Sequence, residues 1–172
     1  ALTRTKAITL PLLKRHNAAR LKQIEAQREA VDAEINALIQ GDPDLAQRFA
    51  ILCSIPGIAE VSAAMLLIEM PELGSLDEKQ VAALAGLAPI ARQSGNWKGK
   101  SFIRGGRQQV RQGLYMPALV AIRFNADLKT KYEQLIKAGK APKQAITAVM
   151  RKLIILANAL LKKDRKWQTR VA

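Results

Sequence analysis

The chain has 172 residues, 49% of them hydrophobic and 4% aromatic, with 28 Lys and Arg against 14 Asp and Glu and a formal net charge of +14. Its length allows one real core plus an appendage, and its apolar content excludes a disordered basic tail. A cation surplus of this size on an ordered domain repels itself and calls for a polyanionic partner. A single cysteine, Cys53, excludes an internal disulfide, and the one histidine, His16, cannot build a metal site with it.

Alanine, leucine and isoleucine outweigh aromatics, which predicts an all-α fold with no sheet of three or more strands. No apolar run approaches the roughly 20 residues of a membrane span, and there is no signal peptide. We therefore expect a cytoplasmic protein with no membrane partner. The chain opens on Ala1 rather than Met and is read as part of a longer protein. Charge is unevenly spread: residues 41–78 sum to −6, residues 79–126 to +8 without one acid, and residues 127–172 to +9. The polyanion-binding face is expected from the last hundred or so residues.

In chain order, residues 1–11 form a basic lead-in ending at Pro11. Residues 12–40 lack Gly and Pro, and Leu21, Ile24, Val31, Ile35 and Leu38 recur at helical spacings, with Arg28 completing a heptad register. A narrow seam on so long a helix predicts one arm of a coiled coil and a homo-oligomer; an amphipathic helix packed on its own domain is the alternative. Gly41-Asp42-Pro43-Asp44 stops it and divides the chain into 1–43, lead-in and coiled-coil helix, and 44–172, a compact helical domain. A helix is predicted over Asp44–Ser54, then Ile55-Pro56-Gly57-Ile58, then a helix over Ala59–Glu69. That order fits a helix–hairpin–helix, in which backbone N–H groups at Gly57 and Ile58 would hold a phosphate without reading bases, or else an ordinary helical hairpin. Cys53 reads as a small core residue. Ser75, with Glu78 three residues on, predicts a capping box, and Gly86 and Pro89 end the helix it starts.

The stretch from Leu87 to Arg111 carries Arg92, Lys98, Lys100, Arg104, Arg107 and Arg111 among glycines. Cations with Gly95 beside them let backbone and side chains approach a phosphate, so these seven residues are the candidate nucleic-acid contacts. A helix resumes near Gly106 and runs to Phe124, with Pro117 marking a kink or break. Helices over Leu128–Ala138 and Pro142–Lys163 follow, the last apolar on one side through Ile146, Val149, Met150, Leu153, Ile154, Leu156, Ala157 and Leu160.

Three stretches then carry a resemblance: LCSIPGIAEVSAAMLL, the span from LAGLAPIARQSGNWKGK to VAIRFN, and LIKAGKAPKQAITAVMRKLIILANALLK with a trailing Trp167. In order and spacing, residues 44–167 resemble the C-terminal domain of the bridge-RNA-guided DEDD/serine insertion-sequence transposases (the IS-one-ten and IS-one-one-six type). The upstream helix matches that family's coiled-coil segment. The resemblance implies DNA and a guide RNA as partners. It also implies a serine nucleophile shortly after a Gly-Leu-x-Pro stretch, here Gly86-Leu87-Ala88-Pro89 followed by Ser94-Gly95. Ser94 is thus the candidate nucleophile, with Ser101 as fallback. The family's metal-binding acid set has no counterpart here, so a divalent metal such as Mg is expected in a separate N-terminal domain, and this chain alone is expected to be inactive. The competing readings are a non-catalytic helix–hairpin–helix nucleic-acid-binding module and an oligomerisation domain whose charge is incidental.

Overall fold

The computed structural model describes residues 10–91, 93–94, 97–99 and 101–168. The lead-in through residue 9 lies outside them, as do Arg92, Gly95 and Lys100. The described chain forms two units, residues 1–43 and 44–172.

Among its described residues the first unit contains one long helix, α1, over Pro11–Gly41. Pro11 sits at its first position, where the missing N–H costs nothing. Its seam is open: Ile24, Val31 and Leu38 are 50%, 59% and 67% exposed. Arg28 pairs with Asp32 one turn on, at 3.9 Å.

The second unit is helical, as its composition predicts, with four two-residue strands inserted. Its helices are α2 (Pro43–Cys53), α3 (Glu60–Glu69), α4 (Glu78–Leu84), α5 (Gln108–Gly113), α6 (Tyr115–Phe124), α7 (Ala126–Lys137) and α8 (Pro142–Lys162). The core gathers on α8, which packs against α4, α6 and α7. Val149, Leu153, Ile154 and Ala157 are fully buried on its apolar stripe. By length and composition α8 could cross a membrane, contrary to the sequence expectation, yet half of its most apolar window is buried inside this unit. It is apolar because other helices surround it.

Two sequence details are corrected. The helix after Leu76 is capped by Asp77, not Ser75: Asp77 accepts from the N–H groups of Lys79 and Gln80, and Gln80 Oε1 accepts from the Asp77 N–H at 3.0 Å. Ser75 Oγ instead donates to Glu72 O at 2.7 Å, closing the preceding turn. The long helix expected from Gly106 to Phe124 is two helices, parted at Leu114. Pro117 marks that break from within the first turn of α6, where it has no N–H to return to Gly113.

The basic stretch is not an irregular loop. β1 (Pro89–Ile90) pairs antiparallel with β4 (Phe102–Ile103), and β2 (Gln93–Ser94) pairs antiparallel with β3 (Trp97–Lys98). The result is an arm that runs out through β1 and β2 and returns through β3 and β4.

Candidate nucleic-acid interface and reactive serine

The root of the arm is built from glycine and arginine. Gly86 (φ +68) and Gly106 (φ +61) meet backbone to backbone; a Cβ on Gly106 would strike Gly86 N, Gly86 Cα and Ala83 O. Only glycine permits both this approach and these dihedrals. Arg107 N–H donates to Leu84 O at 2.7 Å, joining the returning chain to the end of α4.

Arg107, expected to contact a phosphate, faces the protein instead. Its guanidinium makes two parallel bonds to the Glu72 carboxylate, at 2.6 and 2.8 Å, and a third to Glu69 O at 2.5 Å. This fork geometry matches a carboxylate as it would a phosphate, and the carboxylate is already there. The Arg107 hydrogen bond, aided by the Glu72 backbone, holds the Glu72 carboxyl down to about 2. Arg111 likewise turns inward, donating to Gly105 O at 2.8 Å and, more weakly, to Gly86 O. Both arginines fasten the arm's root, a role invisible in a run of like charges.

Farther out, Ser94 is exposed and pairs with Trp97 across the β2–β3 ladder, with residues 95 and 96 between them. Gln93 pairs with Lys98, so the backbone of Lys98 lies beside that of the serine strand. Arg104 is exposed just beyond β4. Arg92, Gly95 and Lys100 lie outside the described residues. Ser101 is exposed elsewhere, over a groove of about 590 Å³ lined also by Leu135, Lys140 and Gln144 at the α7–α8 corner.

A tight turn joins α2 and α3, with Gly57 at φ +107. Ile58 N–H donates to Ile55 O at 3.0 Å, and the Ile58 side chain is 4% exposed. A Cβ on Gly57 would lie 2.5 Å from Pro117 O and 2.8 Å from Ala121 Cβ. These two residues pack the turn against α6, and the Ile58 N–H is already engaged. The free N–H groups nearby open α3, where Glu60 adds negative charge.

Cys53 is half-buried, and desolvation, with Glu60 nearby, pushes its thiol above the ordinary value. It stays protonated and poorly nucleophilic at neutral pH. Among the described residues no three His, Cys, Asp or Glu cluster as a metal site would require.

Sequence reasoning missed two residues that organise the acidic connection before α4. Asn158, buried within the apolar face of α8, accepts from Gly74 N–H and donates to Leu76 O, each at 2.8 Å. Arg48 of α2 donates to Pro71 O and Leu73 O at 3.0 and 2.8 Å. The one available signal was a lone amide in an otherwise aliphatic stripe.

Comparison with known proteins gives this architecture a family. Residues 49–133 match the model of the transposase IS116/IS110/IS902 family. A pilin gene-inverting protein of Moraxella bovis is 32% identical over 145 residues, covering 82% of this chain and 45% of that protein. An insertion element IS110 protein of Streptomyces coelicolor is 29% identical over 171 residues, covering 98% of this chain and 40% of its own length. An insertion element IS900 protein of Mycobacterium paratuberculosis is 33% identical over 147 residues, covering 77% and 35%. The chain therefore spans less than half the length of these relatives. With the family domain beginning in α2 and ending in α7, and so containing the whole arm and its root, this chain belongs to the IS116/IS110/IS902 transposase family.

Proposed function

We propose that this chain is the DNA-gripping and serine-nucleophile part of a cytoplasmic transposase that exchanges DNA strands under the guidance of an RNA. The observation that carries the reading is the arm: an exposed serine on a short hairpin, in a segment without acids from residue 79 to 126, on a root fastened by Arg107 and Arg111. A phosphodiester can reach Ser94 without meeting a carboxylate from its own arm. Arg92, Lys98, Lys100 and Arg104 are the proposed cations for the incoming backbone, a task that needs no base reading. Gly57 and Ile58 serve the fold through the fit of their turn on α6.

In the proposed step Ser94 Oγ attacks the scissile phosphorus. An Oγ–P bond forms, one P–O ester bond breaks, the serine proton passes to a base, and the departing oxygen is protonated. A serine hydroxyl is a weak nucleophile at neutral pH and requires such a base or a lowered pKa. The described residues supply no metal-binding cluster and so do not fit a divalent cation. For that reason we also propose that the chain alone does not cleave DNA.

Ser94→Ala in a complete transposase is expected to abolish covalent DNA attachment and strand exchange while leaving DNA and RNA binding within about twofold, since one uncharged side chain contributes little to phosphate affinity. Peptide mapping of a trapped adduct is expected to place DNA on Ser94. Normal recombination by the variant, or an adduct on Ser101, overturns the assignment. DNA binding without any adduct leaves the non-catalytic binding module as the function.

A further inference from the structure

Beside α8 lies a cavity of about 460 Å³ that the proposed reaction does not use. Its aliphatic side comes from Ile155 and Leu156, and its polar rim from Glu78, Asp127 and Lys152. Two further lining residues, Asn125 and Trp167, give it character.

Asn125 is 2% exposed. Its Oδ1 accepts from Leu128 N–H at 3.2 Å and so caps α7, but its Nδ2 has no partner among the described residues. A buried amide donor left unpaired costs free energy that a ligand acceptor would restore. Trp167 is half-buried and fixed by its backbone. Past α8 the chain turns at Asp164 (φ 45), Arg165 N–H returns to Leu160 O at 3.1 Å, and Trp167 N–H donates to Ser54 Oγ at 2.8 Å. The backbone of Trp167 is therefore held beside the cavity that this residue lines. Leading to it in the chain are Lys162, Lys163, Arg165 and Lys166, all exposed and in no salt bridge among the described residues.

A flat apolar ring, an unused donor, carboxylate acceptors on the rim and a line of cations outside suit one ligand chemistry. A nucleobase offers a π face, ring or carbonyl acceptors and an exocyclic donor, and its phosphates would lie along the cations. A purely aliphatic ligand leaves Asn125 unpaired, and a base inside a duplex has its faces covered. We propose that this cavity receives one unpaired nucleobase of a bound strand, stacked on Trp167 and accepting a hydrogen bond from Asn125 Nδ2. The inference rests on the proposed function only in taking nucleic acid as the partner.

The test uses the full chain carrying Trp97→Phe, so that Trp167 is the sole indole. The probes are short single-stranded DNA and RNA oligonucleotides of mixed sequence and the DNA duplex of the same sequence. Single strands are expected to quench Trp167 fluorescence on binding, and the duplex to bind without quenching; whichever single strand binds more tightly identifies the source of the base. Trp167→Ala, measured by anisotropy of labelled strands, is expected to weaken single-strand binding about five- to 150-fold. Asn125→Ser keeps an oxygen that can cap α7, adds no charge and withdraws the amide donor. It is expected to weaken single-strand binding several-fold, with the duplex affinity of the parent retained. Unquenched Trp167 at saturating strand, or parental single-strand affinity in both variants, overturns the inference while duplex binding still supports the proposed function. Failure to bind duplex and single strands alike overturns both.

Discussion

Gly57 shows how much a single residue carries in this molecule. It adopts φ +107 and lies against the backbone of α6, so a side chain there meets both a dihedral and a packing penalty. Gly57→Ala is expected to destabilise the second unit by about 2–4 kcal/mol, the sum of a left-handed backbone cost and local overpacking. Chemical denaturation of the purified variant measures it, and a change below about 1 kcal/mol would show that the turn relaxes. Asn158 is the polar counterpart. Asn158→Ala strips partners from Gly74 N–H and Leu76 O together, and is expected to cost about 2–4 kcal/mol at two unmet backbone groups. The same denaturation experiment reads it, and Asn158→Asp, which keeps the acceptor for Gly74 N–H but sets a buried carboxylate oxygen against Leu76 O, should cost at least as much at neutral pH.

At the scale of elements, the arm's root makes a pH prediction. The Glu72 carboxyl is lowered from 4.5 to about 2, first by its hydrogen bonds from Arg107. A lowered carboxyl contributes stability that is present above 4.5 and disappears as pH falls toward 2. Acid titration of the folded chain should therefore show a loss of stability in that window which Glu72→Gln largely removes. Glu72→Gln should also be less stable than the parent at neutral pH, and an unchanged acid profile would mean that the pair contributes nothing. Along α1, the seam of Ile24, Val31 and Leu38 stays open to solvent within its own unit. A 31-residue helix, about 46 Å long, with such a seam is expected to self-associate. Sedimentation should show an oligomer that Ile24→Lys with Val31→Lys dissociates; a monomer at high micromolar concentration would remove α1 as the oligomerisation element.

At the scale of the whole molecule, net charge of +14 is the dominant quantity. Binding to duplex DNA should weaken steeply with salt, by about one power of salt concentration for each phosphate neutralised. Arg104→Ala, and Lys98→Ala on the arm, should each weaken binding to all sequences alike and flatten that slope by about one. Arg107→Ala should behave differently, lowering stability through the lost Glu72 pair with little direct effect on the slope. An Arg107→Ala variant of parental stability but flatter salt dependence would return this residue to the phosphate-contacting set.

Local chemistry in the sequence determined the helices and the acid-free basic segment, because periodicity, turn residues and charge are properties of neighbours in the chain. The ends of α1 and α8 lie within one or two residues of where proline, glycine and apolar spacing put them. The family resemblance, too, was carried by short stretches in a fixed order. Tertiary structure alone decided which cations remain outward. Arg107 and Arg111 look like Arg104 in the sequence, and only a fold that brings Glu72 and Gly105 within reach turns them inward. It also decided that a run of charges forms a paired arm. Ladders two residues long have no periodicity to detect, and they persist because the Gly86–Gly106 crossing and Arg107 close their root from outside the strands.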